Sequence, residues 1–320
     1  MIQHIAGDPE WTWYIILYFF FGGIAAGVAF TGALAALFGR QRMRPVVRLA
    51  ALIPFPLALL CTVLLIADLH RPERFWHMII QSETWRPMFK YWSPMSYGSW
   101  ILSGFSALAF VNFVAALWGD RRGVMERVPG LIGARLTHLL DYVPRLLGGG
   151  ITGMIFQCLM LLFSYGLGSY TGALLEATNQ LFWSDTPFLS ALYFISAVGT
   201  GISTLLLFLL ARRRAPENHA VVAGLESADN WAMFFELLLL AAVFISLGAL
   251  AGPLLFSVYG LAIVAGTGLL GLVLPLGLHV WPRFHGSTTP IVAAVLALVG
   301  GFALRWAIVM AAQGVAVYGR

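Results

Sequence analysis

Charge is scarce in this chain. Only 10% of its 320 residues are Asp, Glu, Lys or Arg, against 60% hydrophobic residues and a mean hydropathy of +0.84. Soluble domains carry roughly 25% charged residues, so that class is excluded. Lysine is nearly missing: Lys90 stands alone, and the other eighteen basic residues are arginines. Cysteine is rare too. Cys61 and Cys158 lie singly inside apolar runs, so the chain supplies no iron–sulfur or zinc site of its own. Alternating strands of about 10 residues are absent, which rules out a membrane barrel. The first residues carry no basic cluster, only Asp8 and Glu10, and the apolar run at 11–38 is too long for a signal-peptide core. The expectation is a retained first helix that inserts the chain.

What the sequence does have is a series of apolar runs near the 20 residues that a helix needs to cross about 30 Å of hydrocarbon. Eight spans are expected, at 12–38, 48–67, 96–118, 146–167, 188–211, 231–250, 254–279 and 290–313. Thirteen of the nineteen basic residues fall after spans one, three, five and seven, among them Arg40, Arg121, Arg212 and Arg283. That alternation is the positive-inside pattern, so the net charge of +5 is no sign of a nucleic-acid partner. The sorting places both termini outside, together with the acidic segment 168–187, which bears Glu176 and Asp185. Loop 68–95, with four basic residues, joins them by alternation. The stretch 169–183 is expected to form a short amphipathic helix on the outer surface, and 120–145 has similar character on the inner side. FFFGGIAAG (19–27) is faintly echoed by YFISAVGTG (193–201), consistent with a duplicated four-helix unit: residues 1–167 first, then an outer connection and second unit at 168–320.

The polar residues of so apolar a chain need a cause. Asp68 to Met78 gathers two acids, two histidines, two arginines and a tryptophan where span two leaves the membrane. Ionisable groups at membrane depth usually face the protein interior or a water-filled cavity. Asp68 sits at the outer end of span two, and Arg305 lies about fifteen residues into span eight, roughly 22 Å from its inner end at 1.5 Å per residue. The functional reading pairs them at the edge of a site for quinol. Such a site must exchange two protons, so it needs a carboxylate or imidazole near the ring oxygens, and His70 and His77 have suitable ordinary pKa values. The structural alternative has Asp68 capping a helix or pairing with Arg71 or Arg74 as loop scaffolding. An aromatic belt explains most of the outer tryptophans and tyrosines. Trp13, Trp76 and Tyr170 are retained as candidates for ring stacking or hydroxyl donation. Glu236, with Glu226, Asp229 and Asn230 nearby, is a candidate for the start of an inner proton path. No histidine lies well inside a span, so no haem is expected.

The glycine-rich GGIAAG (22–27), DLHRPERFW (68–76), SPMSYGSW (93–100), YTGALL (170–175) and LRWAIVMAAQ (304–313) together resemble the NrfD/PsrC family, the quinone-interacting membrane anchor of polysulfide reductase and related molybdenum enzyme complexes. The motifs occur in that family's order and cover nearly the whole chain. The resemblance implies two four-helix bundles, no haem, and a quinone site at the outer face of the first. It also implies a neighbouring iron–sulfur subunit with a ferredoxin-like chain of four clusters and a molybdopterin catalytic subunit beyond. Carried onto matching positions, it puts Asp68 and Arg71 at the site, Tyr170 as a donor to a ring oxygen, and Arg305 in the last span. At His70 many members have glycine, a departure that alters the polarity of the pocket. His4 is not carried over.

The expectation is therefore an all-α, eight-helix membrane protein of a bacterial or archaeal cytoplasmic membrane. It would exchange electrons and protons with menaquinone or ubiquinone while embedded in lipid, as one subunit of an oxidoreductase. A proton-translocating module with secondary quinone chemistry, and a purely structural anchor, stand as alternatives. The terminal substrate would reside in a partner subunit.

Overall fold

The computed structural model describes residues 11–39, 41–69, 71–120, 144, 147, 149–211, 219–280 and 288–315. Eight helices among them are long and apolar enough to cross a membrane. They are α1 Trp13–Phe38, α2 Gln41–Asp68, α3 Pro94–Gly119, α4 Gly150–Glu176, α5 Leu189–Ala211, α6 Ala220–Leu255, α7 Val258–His279 and α8 Thr289–Gly314. In lipid every backbone polar group must be satisfied within the segment, and helices of this length do so. Their ends show local causes. Thr12 caps α1, its hydroxyl accepting the Tyr14 N–H at 3.2 Å. α2 breaks at Ile53, where Pro54 and Pro56 remove backbone donors. α7 contains a π-helical stretch, Ala262–Val273, packed so closely on α8 that Gly271 and Gly300 meet backbone to backbone.

α1 and α5 form the centre and pack against each other. α1 also packs on α2 and α4, and α5 on α6 and α8, while α3 pairs with α4 and α7 with α8. The faint sequence echo is the contact between them. Gly27 lies against Gly201, and Phe19 meets Tyr193 edge-on at 6.0 Å. Both pairs are separated by the same 174 positions, so equivalent residues touch each other, as they must across a two-fold axis. A third pair obeys the same offset. Thr12 accepts the Tyr14 N–H, and Thr186 accepts the Phe188 N–H at 3.4 Å. Across the axis Phe20 packs on Phe302 of α8, and its counterpart Phe194 packs on Tyr165 of α4.

Three expectations are corrected. Residues 169–176 are no separate surface helix: they are the last two turns of α4, held by Gly172, which lies so close to the Leu189 and Ser190 backbone that a Cβ would meet it at 2.5 Å. Trp183 belongs to no amphipathic face and no aromatic belt. It is fully buried, and its indole N–H donates to the Ile308 carbonyl at 2.7 Å. α6 begins about eleven residues before the expected position, which carries Glu226, Asp229 and Asn230 into the helix. Apolarity marks only where a helix enters lipid, and this helix continues beyond. The expected inner helix at 120–145 lies almost wholly outside the described residues, as do His70 and most of the arginine-bearing loops.

Candidate functional site

At the end of the molecule where α1 begins, Asp68 closes α2 and its carboxylate accepts a hydrogen bond from the Thr12 hydroxyl. This sets a carboxylate beside the amino end of α1, where the helix dipole favours negative charge. The next segment, Pro72–Met78, is a 3-10 turn, followed by a narrow reversal in which Met88 N–H donates to Ile79 O at 2.7 Å and Gln81 N–H to Arg86 O at 2.9 Å. α3 holds this loop through the SPMSYGSW motif. The Trp100 indole N–H donates to Met88 O at 2.9 Å, and Ser96 accepts the Lys90 N–H at 3.1 Å. Within the loop Trp76 lies 3.9 Å from the His77 ring and stacks on Trp85 at 5.6 Å. Arg71 and Arg74 are exposed, and Trp13 is 58% exposed.

Two motifs meet below this rim. The Tyr170 ring lies over Gly98, where a Cβ would fall 1.9 Å from Cζ and 2.2 Å from the hydroxyl oxygen. Gly98 is thus the opening that admits the Tyr170 phenol between α3 and α4. Glu176, two turns on, accepts the Ser190 N–H at 2.8 Å and the Ser190 hydroxyl at 2.7 Å, fixing α4 to the start of α5. Sequence reasoning missed Tyr18. It is 2% exposed, and its ring flanks Gly22 together with Cys61 of α2. A tyrosine in an aromatic-rich helix gave no signal of its own.

Arg305 is not paired with Asp68 as the sequence suggested. It is 1% exposed at the junction of α1, α5 and α8. Its Nε donates to the Phe19 carbonyl at 3.1 Å, and its Nη1 donates to Ser196 Oγ at 3.1 Å and Gly301 O at 2.7 Å. Phe19 is seven residues along α1 from Thr12, or about 10 Å at 1.5 Å per residue, so Arg305 sits well below the level of Asp68. The guanidinium fits because Gly23 has no side chain: a Cβ there would be 2.6 Å from Nη2. Ser196 in turn hydrogen-bonds Glu236, which is 4% exposed and lies near the middle of α6. Two turns away, the fully buried Asp229 takes a hydrogen bond from Ser203 at 3.4 Å, and its Oδ1 has no partner. Gly199 faces both carboxylates.

A small cavity is lined by Leu189, Leu240, Phe244, Ile263 and Ile308 among others, with room for about one water. Its walls are apolar. Among the described residues no three His, Cys, Asp or Glu side chains come together as a metal site requires. Of the residues singled out from sequence, Asp68 and the loop bearing Arg71, Arg74, Trp76 and His77 gather at one rim, with Tyr170 below on the neighbouring helices, while Arg305 and Glu236 form a separate buried cluster.

Comparison with known proteins shows the family. The family model described as "Polysulphide reductase, NrfD" matches residues 4–316. Protein NrfD of Escherichia coli (strain K12) is 25% identical over 317 residues, covering 95% of both proteins. The C subunit of polysulfide reductase from Wolinella succinogenes is 27% identical over 327 residues, covering 95% of this protein and 94% of its own length. A Haemophilus influenzae NrfD homolog is 25% identical over 323 residues, covering 95% of this protein and 94% of its own length. With its eight apolar helices and a match over nearly its whole length, this multi-pass membrane protein belongs to the NrfD family.

Proposed function

We propose that the protein is the quinone-reactive membrane subunit of a multi-subunit oxidoreductase, built as two four-helix units with the site in the first. The observation that carries this reading is the placement of Tyr170. It is a buried phenol slotted over Gly98, at the start of the helix that also holds the loop following Asp68. These groups fit a quinone, whose two ring oxygens need hydrogen-bond donors in one oxidation state and acceptors in the other. A bound quinol would supply two electrons and two protons. Asp68, held by Thr12, is the acceptor at the rim, and the Tyr170 hydroxyl orients a ring oxygen. His77, against Trp76, stands at the mouth as a further proton carrier, His70 is assigned the same role from the sequence alone, and Trp13, Trp76, Arg71 and Arg74 border the site. The polypeptide excludes water below the rim by packing Ile101, Phe105 and Leu167 there.

The rim faces the outer side of a bacterial cytoplasmic membrane. There the exposed Arg71, Arg74, Arg86 and Lys90 suit an acidic surface on an iron–sulfur partner, with a molybdopterin subunit beyond it. Asp68→Asn in the assembled complex should abolish quinol-linked turnover while assembly survives. Undiminished turnover would remove Asp68 from the site.

A second reading, proton translocation, draws on the buried column Asp229, Ser203, Glu236, Ser196 and Arg305, because charges in a membrane interior are costly and usually functional. Proton uptake by vesicles carrying Glu236→Gln separates the two. Only translocation predicts a lost gradient at unchanged electron flux.

A further inference from the structure

The offset that joins Phe19 to Tyr193 and Gly27 to Gly201 sets α1 and α5 side by side in register, so Thr12 and Thr186 lie at one level. Each hydroxyl bonds to a side chain of the following span, Asp68 in one case and Ser246, at 2.6 Å, in the other. From that level the chain continues in opposite ways. After Asp68 it runs through 69–93, a long connection carrying Arg71, Glu73, Arg74, Glu83, Arg86 and Lys90. After Ser246, α6 changes at Gly248, which has a φ of +53°, to a 3-10 turn and then a last short helix, Ala251–Leu255. Only Phe256 and Ser257 separate that helix from α7. Residues 237–278 hold no Asp, Glu, Lys, Arg or His at all.

The turn between α6 and α7 is apolar on both of its faces. Leu250 and Leu254 are buried in the core with Leu247 and Ile263. Pro253, Leu255, Phe256, Val258 and Leu261 are exposed, Phe256 to 96%. Apolar surface left in water is unfavourable in proportion to its area. The backbone points the same way. Water satisfies the free donors of a surface loop and hydrocarbon does not, so a turn held in lipid must bond to itself. Here Ala251 N–H donates to Gly248 O, Phe256 N–H to Gly252 O at 3.1 Å, Ser257 N–H to Leu254 O at 3.0 Å and Leu261 N–H to Ser257 O at 3.0 Å. The Ser257 hydroxyl accepts the Gly260 N–H at 3.1 Å and donates to Leu254 O at 2.6 Å. So close a reversal needs Gly260, where a Cβ would lie 2.1 Å from the Leu254 carbonyl oxygen. The exposed face carries on into the apolar flanks of both spans, at Ile245 on α6 and Val264 on α7.

We infer that the α6–α7 turn is a lipid-binding shoulder, seated among the acyl chains and glycerol backbones of phospholipid beside the charged 69–93 connection. A water-soluble partner at this end of the molecule then meets the 69–93 side and is kept off the α6–α7 side by lipid. The inference rests on the membrane-spanning fold and is independent of the quinone reading. The test places p-benzoylphenylalanine, a photoreactive relative of the residue it replaces, at position 256 in the membranes that produce the protein. Illumination should attach phospholipid to the peptide carrying that position, as read by mass spectrometry. Phe256→Cys supplies a second readout on the same peptide. Its thiol should stay unlabelled by a membrane-impermeant maleimide in open membrane sheets, which present both faces to the reagent, and should react once SDS has dissolved the lipid. A photoadduct to another polypeptide would overturn the inference by making the shoulder a protein interface. Labelling of Phe256→Cys in the intact sheets would overturn it by placing the turn in water.

Discussion

The Gly98→Ala substitution separates the role of Tyr170 from general packing. A Cβ at Gly98 would lie 1.9 Å from Tyr170 Cζ and 2.2 Å from its hydroxyl oxygen, whereas ordinary contact begins at 3.4 Å. The ring must therefore retreat by about 1.5 Å, the difference between 3.4 and 1.9 Å. A hydrogen bond from an O–H donor is made at roughly 2.7 Å and is lost beyond about 3.5 Å, so a shift of this size removes it. Misplacing a group by about 1 Å costs on the order of a hundredfold in rate. Helix propensity works the other way, since Ala is favoured over Gly by about 1 kcal/mol in a helix interior. The variant should consequently assemble and keep a normal helical circular-dichroism signal while quinol-linked turnover falls about a hundredfold. Combining it with Tyr170→Phe should cause little additional loss, because the hydroxyl is already displaced. Wild-type turnover in Gly98→Ala would refute the reasoning. So would a loss of turnover that tracked a loss of assembled complex.

Three further perturbations probe the frame. Gly27→Ala would place a Cβ 1.8 Å from the Ala197 carbonyl oxygen, which is backbone and cannot swing aside, so the thermal midpoint in detergent should fall by an amount equivalent to about 1–3 kcal/mol. Glu176→Ala leaves the Ser190 N–H and hydroxyl without their acceptor and should cost about 1–3 kcal/mol, with earlier proteolysis between α4 and α5 as the readout. Arg305→Met strips donors from the Phe19 carbonyl, Ser196 and Gly301 and leaves Glu236 in an apolar core. It should destabilise the fold by on the order of 3–5 kcal/mol, and Glu236→Gln added to it should recover part of that loss. An Arg305→Met protein as stable as the parent would show that the guanidinium is not a structural cross-link.

The class of fold was legible because it depends on hydropathy alone. Runs such as the one at 13–38 are too long and too apolar for any soluble alternative. Helix ends were legible only where chemistry marks them, as at Thr12. At α4 and α6 the helices continue through polar sequence, because Gly172 and Glu176 bind α4 to α5 and because Asp229 and Glu236 find serines on α5. The motif at Asp68 was conspicuous through its density of charge, and Tyr170 through the family resemblance. Arg305 was correctly recognised as unusual but given the wrong partner. Depth along one helix says nothing about which side of a neighbour a side chain approaches, and α1 stands between Arg305 and the Tyr18 side of the bundle. Trp183 and Tyr18 were hidden among many aromatics, since an interior indole and an interfacial one look alike in one dimension. The glycines were ambiguous for a related reason. Gly23, Gly27 and Gly98 each admit a different group: a guanidinium, a backbone and a phenol.

The central claim is that the first half, and not its apolar counterpart, receives the quinone. Photoaffinity labelling of the assembled complex with an azidoquinone, followed by peptide mapping, tests it most directly. Label on the peptides carrying Thr12–Tyr18, Asp68 or Tyr170, displaced by excess unmodified quinone, is the predicted result. Displaceable label on Phe182, Phe244 or Ile308 around the second-half cavity would contradict it.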